Sequence, residues 1–111
     1  MPVFGLPDHT LIAIRRILAQ YTSVEQAILY GSRAMGNYRA GSDIDLTLVG
    51  ERLDVRTLGE IAARLEESSI PYQVDLSLLN RLDHAELREH IERVGVVFYR
   101  RNEEEGLDTD T

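Results

Sequence analysis

Two short segments of the chain alternate polar and apolar residues with a period of two, and both put aspartates on the polar side. In Asp43-Ile44-Asp45-Leu46-Thr47-Leu48-Val49 the apolar Ile44, Leu46 and Leu48 fall between Asp43, Asp45 and Thr47. In Tyr72-Gln73-Val74-Asp75-Leu76-Ser77-Leu78 the apolar Tyr72, Val74, Leu76 and Leu78 fall between Gln73, Asp75 and Ser77. Successive side chains of a strand point to opposite faces, so each segment reads as a strand with one buried face and carboxylates on the other. Such strands need a layer to cover the apolar face.

Helical spacing supplies it. Leu11, Ile14, Leu18 and Tyr21 recur at helical intervals between Pro7 and about Tyr21, behind an Asp8 able to cap the start. Val55, Leu58, Ile61, Ala62 and Leu65 form one stripe from Asp54 to about Glu67, ended by Ser68, Ser69 and Pro71. Asp83 with Glu86 predicts a capping box for a third helix running through Leu87 and Ile91 to about Val94, closed by Gly95. Glu25 to Tyr30 and Val96 to Arg100 read as two further strands. Residues 33–42 hold two glycines and an asparagine, which predicts at most one helical turn and then a loop. The expectation is an α+β domain: a mixed sheet of about four strands with helices packed on one face and carboxylates on the open face.

At 111 residues with 43% hydrophobic and 28% charged residues, the chain has room for one such core and no second domain. Residues 1–101 form the expected domain. Residues 102–111, rich in Glu and Asp, read as a disordered acidic tail. The formal charge of −7, from 12 basic residues that are all arginine against 19 acids, disfavours an extended grip on DNA or RNA. Absence of Cys excludes disulfides, zinc thiolates and a cysteine nucleophile. His9, His84 and His90 stand at no metal-ligand spacing, so zinc is not expected. No apolar run reaches the ~20 residues of a membrane span, and the N-terminus lacks a signal-peptide pattern, so the expected location is the cytoplasm.

The chemistry concentrates in Gly31-Ser32, a ten-residue spacer, Asp43-Ile44-Asp45, and Asp75. Aspartates at i and i+2 on a strand point the same way about 6.6 Å apart, and a third from a neighbouring strand would complete one wall of a metal site. Carboxylate oxygens suit hard cations such as Mg²⁺ or Mn²⁺, and crowded carboxylates repel one another without a cation. Glycine at the end of a strand permits close approach of a phosphate, serine adds a hydroxyl and an N–H, and a helical turn beginning at Arg33 would aim its positive end the same way. Two cations ~3.5–4 Å apart would clamp the attacking and leaving oxygens of a displacement at phosphorus.

These residues resemble the minimal nucleotidyltransferases of the DNA polymerase β superfamily, whose signature is Gly-Ser, a spacer of this length, Asp-x-Asp, and a third acid on a later strand. The likeness runs from about Thr10 to Arg100. By that resemblance Asp43 and Asp45 bind both of two Mg²⁺ ions, Mn²⁺ being the alternative, and Asp75 binds the catalytic metal and helps activate the acceptor hydroxyl. Gly31 and Ser32 hold the β- and γ-phosphates, and Arg33 and Arg39 are candidate nucleotide contacts. The reaction implied is transfer of a nucleoside monophosphate, usually AMP from ATP, to an acceptor with release of pyrophosphate. The family also implies a small all-helical partner of the HEPN type, either a substrate-binding subunit or a toxin whose antitoxin is the nucleotidyltransferase. Two departures from the common antitoxin pattern are Met35 in place of a frequent second arginine and Asn37-Tyr38-Arg39 in the spacer. His90-Ile91-Glu92-Arg93-Val94-Gly95 resembles the substrate-binding-partner branch. A non-catalytic, partner-binding regulatory subunit is the rival reading. Apolar residues of the first and last helices leave a homo-oligomer open.

Overall fold

The computed structural model describes residues 3–101. In chain order the elements are α1 (Asp8–Ala19), β1 (Gln26–Tyr30), α2 (Ser32–Met35), β2 (Ile44–Val49), α3 (Val55–Glu67), β3 (Val74–Leu78), a 3-10 turn (Leu79–Arg81), α4 (Ala85–Val94) and β4 (Val96–Arg100). The four strands form one mixed sheet in the order β3-β2-β1-β4, with β2 and β3 parallel and the other pairs antiparallel. The α+β class and the four-stranded mixed sheet are those read from the sequence. The acidic tail expected at 102–111 lies outside the described residues.

The alternation of the strands decides where the core sits. Ala27 and Leu29 of β1 and Ile44, Leu46 and Leu48 of β2 are buried on one face, beneath Leu11, Ile14 and Leu18 of α1 and Ile61 and Leu65 of α3. Shortening the fully buried Leu46 to Ala would cost about 3 kcal/mol in lost transfer energy and cavity formation. α3, which connects the parallel strands, starts where expected: the Asp54 side chain accepts a hydrogen bond from the Thr57 N–H at 2.8 Å.

Two other helix starts differ from the sequence reading. Asp8 lies in the first turn of α1 instead of capping it, because Pro7 takes the cap position and its carbonyl accepts from the Thr10 and Leu11 N–H groups. The Asp83–Glu86 box does not form either. α4 begins at Ala85, and His84 caps it by accepting the Leu87 N–H on Nδ1 at 3.3 Å.

The helices also do not all share one face. Ile28 and Tyr30 pair with Thr47 and Asp45, so they project on the side opposite the core, and α4 packs against β1 there. Ile91 of α4 is buried outside the main core cluster. Gly95 makes this packing possible, since a Cβ there would collide with the Ile91 carbonyl and lie 2.8 Å from Ile28 Cγ2. The carboxylate face is therefore open at Asp43 and Asp75, closed at Thr47 farther along β2, and flanked by a helix over β1.

Candidate functional site

β1 ends at Tyr30, and the chain turns at once through Gly31 into the single turn of α2. Gly31 has φ +76° and ψ −158°, a combination open essentially only to glycine. Its missing side chain matters as much as its dihedrals, because a Cβ would run into Asp45 Oδ2. The acid of β2 thus rests directly against the backbone of the Gly-Ser turn. Ser32 is half-buried at the start of α2, and its carbonyl accepts from the Gly36 N–H at 2.9 Å and the Asn37 N–H at 3.2 Å, which closes the turn.

Across the sheet Tyr30, Asp45 and Asp75 form one row: Tyr30 pairs with Asp45 in the antiparallel ladder, and Asp45 with Asp75 in the parallel one. Neighbouring strands run about 4.8 Å apart, so the two acids are adjacent. Asp43, exposed, precedes β2 by one residue and stands two positions from Asp45. Burial raises the Asp45 carboxyl above the usual carboxylate range; Asp75 and then Asp43 push it further, and His90 opposes them.

Among the described residues no three His, Cys, Asp or Glu side chains close into a ready-made metal cluster. Two paired carboxylates with a third on the flank fit a different arrangement, in which a hard cation takes one or two carboxylates and completes its shell with water and substrate oxygens. The repulsion on Asp45 points the same way, since a cation would relieve it.

One register step behind the acids, Ser77 Oγ donates to Thr47 Oγ1 at 2.9 Å. Burial raises the Tyr30 phenol above its ordinary range, the Ser77 side chain works against this, and Asp45 and Asp75 raise it further. Thr47 is fully buried. The Thr47 and Ser77 hydroxyls form a polar floor beside the carboxylates, in register with the β2–β3 ladder.

Arg33, a candidate nucleotide contact in the sequence, has its guanidinium engaged within the domain. Its side chain is buried, Nε and Nη2 donate to the Ser42 carbonyl at 3.1 and 2.9 Å, and Nη1 donates to the Phe4 carbonyl at 2.9 Å. The guanidinium lies 5.2 Å from the ring centre of Tyr38 and 5.0 Å from that of Tyr72. It fastens the residue just before Asp43 to the N-terminal segment. Arg39 is exposed in the loop, where its backbone N–H donates to Ser42 Oγ at 2.8 Å.

Sequence reasoning did not place Tyr30, Ser77 or His90 at the site. Tyr30 and Ser77 carried a usable signal, because Tyr30 adjoins Gly31 and Ser77 shares the strand face of Asp75. His90 stood out only in the stretch His90–Gly95, which gave no link to Gly31. Its Nε2 accepts the Gly31 N–H at 3.3 Å across 59 positions of sequence.

A family model described as polymerase beta nucleotidyltransferase matches residues 13–104. A comparison with curated proteins finds no match. Among solved structures, one titled as a toxin–antitoxin with AMP-PNP superimposes with TM-score 0.66 at 23% identity, covering 92% of this chain and 80% of that one. A complex of a tri-AMPylated Shewanella oneidensis HEPN toxin with its MNT antitoxin gives TM-score 0.63 at 21% identity, covering 89% and 76%. The MntA–HepT toxin–antitoxin gives TM-score 0.64 at 20% identity, covering 91% and 79%.

Proposed function

Because the chain belongs to the polymerase beta nucleotidyltransferase family, we propose that it transfers a nucleoside monophosphate, AMP from ATP, to an acceptor hydroxyl on a partner protein and releases pyrophosphate. The observation that carries this reading is the row in which Asp45 pairs with Asp75 while the Gly31 backbone closes against Asp45. A carboxylate site and a Gly-Ser turn become one surface there. Asp43, Asp45 and Asp75 would hold Mg²⁺, which supplies Lewis-acid neutralisation of phosphate charge.

The chain's own residues do the rest. Ser32 offers its hydroxyl and N–H to the β- and γ-phosphates, beside a glycine that lets them approach the backbone. The acceptor oxygen attacks the α-phosphorus, the bond to the bridging oxygen of the β-phosphate breaks, and pyrophosphate leaves. Asp75, exposed at the open edge of the row, takes the hydroxyl proton. Asp45, already repelled by its neighbours, is best placed to respond to a cation.

The likeness to two-chain toxin–antitoxin complexes supports a two-component system in which a helical partner supplies the acceptor. The toxin–antitoxin likeness favours a HEPN-type partner and, as a second reading, an antitoxin role. Among the described residues no helix is long and apolar enough to cross a membrane, in keeping with a cytoplasmic site of action.

The test is incubation with ATP labelled at the α-phosphate, Mg²⁺ and the polypeptide encoded beside this one, with the pair Asp43→Asn and Asp45→Asn as control. Label on the partner with wild type and none with the variant is the expected result. Equal labelling by both would overturn the mechanism, and partner binding without labelling by either would favour a non-catalytic regulatory subunit.

A further inference from the structure

We propose that His90 is a positioning residue for the triphosphate: by accepting the Gly31 N–H on Nε2, it fixes the Tyr30–Gly31 peptide, from which the turn carries Ser32 to the β- and γ-phosphates. This rests on the nucleotidyltransferase reading and adds a residue to it.

A glycine with positive φ at the end of a strand has wide conformational freedom, so the turn keeps one course only if the peptides on both sides of Gly31 are held. The one that follows is held by the Met35 N–H, which donates to the Gly31 carbonyl at 3.1 Å, and the one that precedes it needs an acceptor for its N–H. The acceptor for that hold comes from α4, which packs against β1. The His90 ring meets the Tyr30 ring edge-on, with centroids 6.2 Å apart and planes at 82°. That contact sets the ring's direction, and Tyr30 is the residue immediately before Gly31.

α4 is itself anchored beyond β3. Arg88 Nη1 donates to the Leu79 carbonyl at 2.8 Å and to the Leu82 carbonyl at 3.1 Å, in the segment that leaves β3. A continuous chain of contacts therefore runs from the strand that carries Asp75, through Arg88 and α4, to His90 and the Gly-Ser turn. The turn's position is tied to the acid row from both sides: Asp45 presses on Gly31 from β2, and His90 holds its N–H from α4.

Because the Gly31 N–H is spent on His90 Nε2, the first phosphate donors of the turn belong to Ser32.

The experiment uses two variants that separate the acceptor from the ring. His90→Phe keeps a ring against Tyr30 and removes the acceptor; His90→Gln removes the ring and can place Oε1 near the Nε2 position. Binding of AMP-PNP and of AMP, each with Mg²⁺, is measured by calorimetry, with thermal melts and amide exchange at Gly31 alongside. The expected result is that His90→Phe weakens AMP-PNP roughly tenfold, leaves AMP unchanged and speeds Gly31 exchange, while His90→Gln stays within about twofold of wild type. Undiminished AMP-PNP binding by His90→Phe, or equal loss of AMP and AMP-PNP by both variants, would overturn the assignment while the transferase reading stands. A folded wild type that binds no AMP-PNP would overturn the triphosphate reading itself, and His90 with it.

Discussion

The Asp45 carboxylate occupies the space that a side chain at residue 31 would need. The acid row and the Gly-Ser turn are consequently one structural unit, and each limits what the other can become. Gly31→Ala should lower stability by about 2–3 kcal/mol, from the forced positive φ together with the clash. Adding Asp45→Ala should return part of that loss, because it removes the clash and leaves the dihedral strain. Denaturant midpoints of the two single variants and the double variant measure the coupling, and simple additivity would show that Asp45 and residue 31 do not compete for space.

Asp45 should trade stability for function. Its carboxyl is raised in the folded state by burial and by Asp75 and Asp43. Folding thus favours the protonated form, and this group's contribution becomes unfavourable as pH rises from the unfolded carboxylate value through the folded one. The charge cost is complete once the pH lies above the folded value. Asp45→Asn should therefore raise the melting temperature of the metal-free protein near pH 7 and lose most of that advantage in acid. Addition of Mg²⁺ should raise the wild-type melting temperature more than that of the variant. Melts at several pH values with and without metal check both halves.

Arg33 should behave as a structural residue and Arg39 as a surface one. Arg33→Ala leaves the Ser42 and Phe4 carbonyls without their charged donor and opens the space between Tyr38 and Tyr72, at a cost of about 2–4 kcal/mol. Arg33→Lys should recover little, since an ammonium cannot span both carbonyls and lie flat between two rings. Arg39→Ala should leave stability within about 0.5 kcal/mol of wild type. Urea denaturation separates the three.

The cap of α3 gives an independent pH signature. The Asp54 carboxyl is lowered by its hydrogen bonds from Thr57, so its stabilisation is present above the unfolded carboxylate value and disappears as pH falls through the folded one. Asp54→Ala should reduce the melting temperature at neutral pH, with the difference from wild type vanishing in strong acid. Asp54 follows the far end of β2 from Asp45, so nucleotide binding should not change. A shift in AMP-PNP affinity would show that α3 communicates with the site.

Local covalent geometry explains what was legible without coordinates. The period-two pattern around Asp43, Asp45 and Asp75 follows from the pleat of any strand, so the sequence determined that the acids share a face opposite the core. The Gly-Ser turn and its distance from Asp45 along the chain were equally visible. Helix starts were less legible. Asp8, Asp83 and Glu86 all have capping chemistry, yet whether they cap depends on where packing sets the first turn, and Pro7 and His84 took those positions.

Only the tertiary structure decided the rest. Alternation cannot say which residue of β3 faces Asp45; the parallel ladder that pairs Ile44 with Val74 and Leu48 with Leu78 brings Asp75 there. Nor does any local pattern distinguish Arg33, folded inward between two tyrosines, from Arg39, which is exposed. His90 reaches the Gly31 amide because α4 docks on the sheet face opposite the core, and that docking is set by Ile91, Ile28 and Gly95. Sequence determines the side on which a residue points. Which residues meet there depends on long-range packing, because only the assembled sheet and helices bring distant segments into contact.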